Sequence, residues 1–478
     1  MPLNDSLTRR FRKIVGRPNV DTGTAELLTF ASDGLTLHQA APECVVYPQS
    51  TGEVAAIVKA CNRAGVPFVA RGAGTGLSGG AIIDGGVIIQ LSRMNQIIYL
   101  SADNRFAIVQ PGVVNSYLSL QTRPYGLEFA PDPSSQAACT IGGNVAENAG
   151  GPHTLKQGVT LNHVLGQTVV MADGQVATFG GPYLAQTGPS FSSFLVGSEG
   201  TLGITTEVTV RLVPVAAGIT TMLATFADPA GATDSVTAIL AARILPSALE
   251  FIDQLCIQAV EAHLKVGFPT DAGAILLIEL DTDDERSKGQ AETIEALCRE
   301  HGAIDFTLAQ SEEERQKLWL GRKHVAGAMG KISPAYYTND GVVPRSRLTD
   351  ILQAVYRIAG IHKLKVANIA HAGDGNIHPL ILFDPDTPDG ADRALACSED
   401  ILAACLEMGG SLSGEHGIGL EKREMMARMY SGADLAHMRR LRNGLSPLGL
   451  LNPCKLLPEG ARCGEVKNGA TLPEGTWL

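Results

Sequence analysis

The chain has 478 residues, 45% of them hydrophobic and 5% aromatic, with a formal net charge of −11. That length exceeds one hydrophobic core, so at least two domains are expected, and the acidic balance argues against nucleic acid as the main partner. No apolar run approaches the ~20 residues that span a bilayer. Arg9, Arg10, Arg12, Lys13 and Arg17 crowd the N-terminus with no apolar signal segment after them; they read as a solvated basic helix that leaves a peripheral contact with the inner membrane open. Nine cysteines lie scattered without a C-x-x-C pair. The pattern predicts reduced thiols and a cytoplasmic setting, and argues against cysteine-held zinc or iron–sulfur centres.

The first clear element is a helix over Val54–Arg63, opened by the capping box Ser50-Thr51-Gly52-Glu53 and closed by Gly65 and Pro67. Val66–Ala70 then reads as a strand leading into Arg71-Gly72-Ala73-Gly74-Thr75-Gly76-Leu77-Ser78-Gly79-Gly80. Gly74, Gly76 and Gly79 satisfy G-x-G-x-x-G, but a dinucleotide site of that kind needs a helix next. Ala81–Leu91 is instead β-branched and broken by Gly85-Gly86, predicting strand, turn, strand. Such a loop is either a tight glycine turn or a nest of backbone N–H groups for phosphate, with Arg71 adding charge.

Arg105–Val109 and Gly203–Val213 alternate as strands, and Thr168–Ala172 and Gln175–Phe179 are predicted to pair about a two-residue Asp173-Gly174 turn. Two glycine-rich stretches look like cofactor walls, Gly142–Gly151 after Pro131–Ser135, and Gly197–Gly203. The pattern changes near Pro214 to longer helices around strands such as Ala274–Leu280, which marks a domain boundary. Ser311–Met329 reads as one helix carrying Trp319 and Arg322, the latter by itself an ordinary surface arginine.

Val366–Ala370 and Pro379–Phe383 flank His371-Ala372-Gly373-Asp374-Gly375-Asn376-Ile377-His378. A type I′ turn at Asp374-Gly375 would set His371 opposite His378 on one face, with Cβ atoms about 5 Å apart. That suits two imidazoles on one metal ion, or simply two polar neighbours. Glu415 and His416, among glycines in Gly409–Gly419, would supply a carboxylate ligand and a general base, or else satisfy backbone groups of their loop.

The stretches RGAGTGLSGGA, APDPSSQAAC, IGGNVAENAGG, GSEGTLGITTEVTV, HAGDGNIHPLILFD, SGEHGIG and LLNPCKLLP together are specific. Through them nearly the whole chain resembles the flavin-binding subunits of bacterial glycolate oxidases, in the vanillyl-alcohol-oxidase/PCMH superfamily, close to D-lactate and D-2-hydroxyglutarate dehydrogenases. The resemblance implies an α+β fold: a PCMH-type FAD-binding domain of two α+β subdomains (1–215), a ferredoxin-like substrate or cap domain with a metal site (216–440), and a segment returning to the FAD domain (441–478). It implies that Arg71, Gly72, Ala73, Gly74, Thr75, Gly76, Leu77, Ser78 and Gly79 wrap the FAD pyrophosphate. Asp132, Ser135, Gly143, Asn148, Glu199, Gly200, Ile204 and Asn452 would line the rest. Thr75 stands where covalently flavinylated relatives place histidine, so FAD would be non-covalent.

The same resemblance gives His371, His378 and Glu415 to a divalent metal (zinc, manganese or iron), His416 to the base and Arg322 to the substrate carboxylate. The implied reaction is oxidation of a short 2-hydroxy acid, glycolate foremost and D-lactate as the alternative, to the 2-oxo acid. Implied partners are a second FAD-domain subunit and an iron–sulfur subunit. Leu380 replaces an asparagine of the 2-hydroxyglutarate enzymes, and Lys331–Tyr337 offers no clear match to their substrate lysine, which favours a small substrate. Cys454 stands where the family has glycine. A non-catalytic flavin scaffold and a metal-dependent hydrolase are the competing classes; the hydrolase leaves three glycine-rich loops without a task.

Overall fold

The computed structural model describes residues 5–183, 188–282 and 284–458. The chain forms two compact bodies: one from Met1–Ala149, Val159–Val215 and Glu415 onward, the other from Gly150–Gly158 and Ala216–Gly414.

In the first body β1 (Val20–Asp21), β2 (Cys44–Val46), β3 (Phe68–Arg71) and β4 (Val87–Gln90) form a sheet in the order β1-β2-β4-β3. β2 and β3 each pair with β4 in parallel, and β1 joins β2 antiparallel at the edge. The capped helix is present as Thr51–Ala64: Ser50 Oγ accepts from Glu53 N at 3.2 Å, and Gly65 ends it at φ +64°. Val54, Ile57, Val58 and Cys61 face the sheet, beside Leu7, Phe11 and Val15 of the basic N-terminal helix Asp5–Val15. Arg9, Arg10 and Lys13 of that helix are exposed. Ala81–Ile83 is no strand. Its carbonyls accept from side chains, Ala81 O from Arg71 and Ile82 O from Lys455, instead of from a neighbouring ladder.

A second sheet uses β5 (Ile97–Ser101), β6 (Phe106–Val109), β8 (Val164–Met171), β9 (Val176–Gly180) and β10 (Gly203–Arg211), in the antiparallel order β5-β6-β10-β8-β9; β7 (Leu127–Glu128) pairs separately with β11 (Val213–Pro214). The β8–β9 hairpin closes on three residues, not two. Gly174 takes φ +80°, its N–H donates to Met171 O, and Met171 N donates to Gln175 O. Asp173 Oδ1 accepts from Gln175 N, which favours a type I turn followed by a left-handed glycine.

The second body holds one antiparallel sheet of β12 (Thr220–Phe226), β13 (Ala248–Asp253), β14 (Ala274–Leu280), β15 (Ala303–Leu308), β16 (Ala335–Thr338), β17 (Gly341–Val342), β18 (Lys365–His371) and β19 (Asn376–Phe383). Its order is β15-β12-β14-β13-β18-β19-β16, with β17 on β19. The first four run fourth, first, third, second, the ferredoxin-like order. Ile252, Ala367, Ile369, Leu380 and Leu382 line one core under Ile257, Val260 and Trp319. Ser311 caps a helix that breaks at His324 into Glu312–Lys323 and Val325–Met329. Among the described residues, seven cysteines are buried and free.

Candidate functional site

Every flavin residue implied by the family motifs lies in the first body. Between Ala73 and Gly80 no backbone N–H donates a hydrogen bond to another described residue. A run of polar N–H groups without internal acceptors is what an anion nest requires. The run is shaped from below by Arg71. Its guanidinium donates to Ser32 O at 2.8 Å and more weakly to Phe30 O and Ala81 O, and lies over the Phe30 ring. Arg71 therefore braces the loop, with its side chain already engaged. A Cβ on Gly74 would stand 2.3 Å from that guanidinium, and Gly74 has φ +71°.

Gly143 opens the helix Ile141–Glu147, donating its N–H to Thr140 Oγ1, and Asn148 ends it in the left-handed region at φ +53°. Glu199 N donates to Ala146 O, which ties the Gly197–Gly203 loop to that helix end, with Gly200 at φ +65°. Asp132 and Ser135 lie on the loop before Thr140; Ser135 O accepts from Ala138 and Cys139. The Ile204 side chain is in the core beneath β4, so only its backbone is left for a ligand. Asn452, at φ +40°, donates to Gly80 O at 3.1 Å and Glu199 O at 2.7 Å, and accepts from Lys455 Nζ. It clamps the two walls of the cradle.

Glu199 also holds the loop after His416, since its carboxylate accepts from Ile418 N and Gly419 N, both at 2.7 Å. Glu147 closes on the same spot: a Cβ on Gly417 would stand 2.3 Å from Glu147 Oε2 and 2.9 Å from Glu199 Oε1. Burial and then the Glu199 charge push Glu147 well above the usual carboxylate range. Burial raises Glu199 too, but two N–H donors, Lys422 and Lys455 oppose it, so Glu147 is the member that keeps the proton.

The second body carries the histidines, with a different register from the one expected. His371 pairs with Asn376 and His378 with Ile369, because the turn spans four residues, Ala372–Gly375. Both Asp374 N and Gly375 N donate to His371 O, and Gly375 adopts φ +87°. The pairing moves by two positions, so strand parity is kept and both imidazoles remain on one face as diagonal neighbours. Their ring centroids are 5.1 Å apart at 83°.

Directly across from His371 on β13 stands Glu250, fully buried. Its oxygens lie 2.8 and 2.9 Å from His371 Nδ1, and His378 Nδ1 lies 3.3 Å from Asn339 O. A carboxylate and a carbonyl only accept, so each Nδ1 carries hydrogen, and in the neutral ring Nε2 keeps the lone pair. That donor set fits a borderline divalent cation such as zinc or iron.

Arg322 is not a surface residue but 4% exposed, with Nη2 at 2.6 Å from Glu250 Oε2. That charge contact is too poorly aligned for a hydrogen bond, and neither Nη2 nor Nε has an acceptor among the described residues. Burial would raise the Glu250 carboxyl; His371 and Arg322 beside it hold it below its ordinary value. Glu415 and His416 start the last segment of the first body, immediately after Gly414. Gly414 itself is fixed in the second body: Asp340, fully buried, accepts from Gly414 N at 3.1 Å, Ser413 Oγ at 2.5 Å and Asn376 Nδ2 at 2.9 Å.

Sequence reasoning missed Glu250 and Asp340. The signal for Glu250 was an acid inside the otherwise apolar Ala248-Leu249-Glu250-Phe251-Ile252; for Asp340 it was only an Asn-Asp pair before a glycine.

A loop of unclaimed N–H groups in one body and an imidazole pair beside a buried arginine in the other define a cofactor-dependent enzyme. Residues 216–456 match the family described as FAD linked oxidases, C-terminal domain, and residues 42–180 match FAD binding domain. The chain is 44% identical to glycolate oxidase subunit GlcD of Escherichia coli K12, over 92% of this chain and 88% of the relative. It is 36% identical to the Bacillus subtilis GlcD, over 94% and 96%. A probable mitochondrial D-lactate dehydrogenase of Danio rerio is 32% identical, over 94% and 90%. Among solved structures, 4-ethylphenol oxidase of Gulosibacter chungangensis aligns with a TM-score of 0.80 at 19% identity, covering 96% of this chain and 98% of that one. p-Cresol methylhydroxylase gives 0.80 at 17%, covering 95% and 96%. The chain belongs to the FAD-linked oxidase family, alongside the glycolate oxidase GlcD subunits and D-lactate dehydrogenases, with the PCMH-type fold. It is an FAD-dependent oxidoreductase, and among the described residues no helix is long and apolar enough to cross a membrane.

Proposed function

We propose that this enzyme oxidises a short 2-hydroxy acid, glycolate foremost, to the 2-oxo acid, using the first body as FAD domain and the second as substrate domain. The observation that carries the reading is Arg322: a buried guanidinium with Nε and Nη2 lacking hydrogen-bond acceptors, in the same body as the imidazole pair. Buried donors left open cost free energy unless a ligand completes them, and a carboxylate matches a guanidinium best. FAD, held non-covalently by Arg71–Gly79 and the walls from Asp132, Ser135, Gly143, Asn148, Glu199, Gly200, Ile204 and Asn452, supplies a two-electron acceptor. His371, His378 and Glu415 would hold a divalent ion, which would supply Lewis-acid stabilisation of the substrate hydroxyl's conjugate base.

The protein's own groups do the rest. Arg322 fixes the substrate carboxylate and so the presentation of the α-carbon. His416 takes the hydroxyl proton as general base, a task suited to an imidazole. Leu380, two residues beyond His378 on the same strand face and fully buried, offers no polar partner for a second carboxylate, which favours glycolate or D-lactate over a dicarboxylic acid. Because relatives are named as subunits, the chain is also proposed to work in an assembly, passing electrons to a second FAD-domain subunit and an iron–sulfur subunit at the cytoplasmic side of the membrane.

The test is anaerobic bleaching of the purified flavoprotein by glycolate, D-lactate and D-2-hydroxyglutarate in parallel. Bleaching is expected with glycolate and more weakly with D-lactate. A flavin that no 2-hydroxy acid reduces, in protein of full flavin and metal content, would leave the scaffold reading standing.

A further inference from the structure

We infer that Glu250 is a positioning residue that serves both halves of the substrate site at once, holding His371 in its metal-binding tautomer and aiming Arg322. The inference rests on the reading of Arg322 and the histidines above and adds a residue to which no role was given by motif.

Three facts converge on this one carboxylate. First, its place is set by the sheet: Glu250 on β13 is the cross-strand partner of His371 on β18, so the backbone ladder itself brings the two side chains together. Second, both carboxylate oxygens reach one nitrogen, His371 Nδ1, at 2.8 and 2.9 Å, while Oε2 is also 2.6 Å from Arg322 Nη2. Third, Glu250 is fully buried and Arg322 nearly so, so neither charge has water as an alternative partner. In so dry a place a lone carboxylate is strongly disfavoured. It persists because an imidazole N–H and a guanidinium share it.

The sharing has a consequence for ligand binding. Glu250 leaves Arg322 Nε and Nη2 without well-aligned acceptors, so it offsets the arginine charge without filling its hydrogen-bonding capacity. A substrate carboxylate arriving there completes those donors and does not have to displace a formed hydrogen bond. At the same time the Nδ1–H to carboxylate contact makes His371 Nε2 a better donor, as an outer-shell carboxylate does for metal-binding histidines.

The experiment compares wild-type protein with Glu250→Gln, which keeps shape and removes charge, both in the flavin-loaded form. The flavin cradle lies in the other body, so an unchanged flavin-to-protein ratio and melting curve serve as the folding control. Zinc affinity, read by competition with a chromophoric chelator, is expected to fall roughly 10- to 100-fold. KM for glycolate is expected to rise by a larger factor than kcat falls, and Glu250→Asp to recover part of both. Unchanged zinc affinity and KM in a folded Glu250→Gln protein would overturn the inference.

A second measurement needs no variant of Glu250. In metal-stripped wild-type protein labelled with 15N-histidine, with the His371 signal identified by its loss in His371→Gln, that ring is expected as the Nδ1–H tautomer. An Nε2–H ring would overturn the inference even if Glu250→Gln fails to fold. Wild-type protein that takes up no zinc and is not bleached by glycolate would instead refute the proposed function, and the tautomer would still decide the part played by Glu250.

Discussion

Two glycines two positions apart separate what the flavin loop needs for itself from what it needs for its ligand. Gly74 has φ +71° and points its missing Cβ at the Arg71 guanidinium, 2.3 Å away, whereas Gly76 meets no protein atom within 4 Å. Gly74→Ala is therefore expected to destabilise even the flavin-free protein, by at least about 2 kcal/mol, since left-handed strain and a displaced buried arginine add. Gly76→Ala is expected to leave the flavin-free melting curve unchanged and yet to lower flavin retention on gel filtration. Equal behaviour of the two variants would mean that the loop is a turn and not a cradle. Nearby, burial pushes Lys455 down to about 8 from 10.5. The folded chain then sheds this proton before the unfolded chain does, so the lysine weakens the fold at neutral pH and the penalty fades as pH rises from about 8 towards 10.5. Compared with Lys455→Met, wild-type stability should gain up to about 1.4 kcal/mol per pH unit across that window. Parallel pH profiles of the two proteins would refute it.

At the level of elements, the hairpin β18–β19 shows what a sequence can and cannot disclose. Apolar runs on either side of His371–His378 were enough to place both strands, and alternation was enough to put both imidazoles on one face. The turn was not legible. Asp374-Gly375 favours a two-residue loop in isolation, but a Cβ on Gly375 would lie 2.1 Å from Val343 O, so the loop is moulded by a segment thirty residues earlier in the chain. The same holds for β8–β9, where Asp173-Gly174 closes a three-residue turn. Capping, strand runs and glycine-rich walls are local signals; Glu250 and Asp340 act through partners 121 and up to 74 residues away, which no local pattern displays. Asp340 makes the point testable. It fixes Ser413 and Gly414, the last two residues before Glu415 and His416, by accepting a hydrogen bond from each, and takes a third from Asn376. Asp340→Asn turns an N–H₂ group towards one of those donors at a cost of about 1–3 kcal/mol. Turnover with glycolate is expected to fall at least roughly tenfold, since the loop proposed to carry the base loses alignment when displaced by an ångström. Flavin content should not change; full turnover in the variant would remove the loop anchor from the mechanism.

For the whole molecule, the flavin cradle and the imidazole pair fall on the two sides of the chain's own partition, with Glu415 and His416 on the flavin side. The unclaimed N–H groups of Ala73–Gly80 and the walls around them belong to the first body, while His371, His378, Glu250, Arg322 and Asp340 belong to the second. The two loads should then be separable. Stripping metal with a strong chelator, followed by dialysis, is expected to leave the visible flavin band intact while glycolate no longer bleaches it, and zinc or manganese should restore the response. Conversely, protein freed of flavin should still take up close to one equivalent of zinc, because Glu250 and Asn339 within the second body orient the two imidazoles. Bleaching that survives exhaustive chelation would reduce the histidine pair to a structural feature. Flavin released together with the metal would show that the cradle does not stand on its own amides and that the partition is only one of packing.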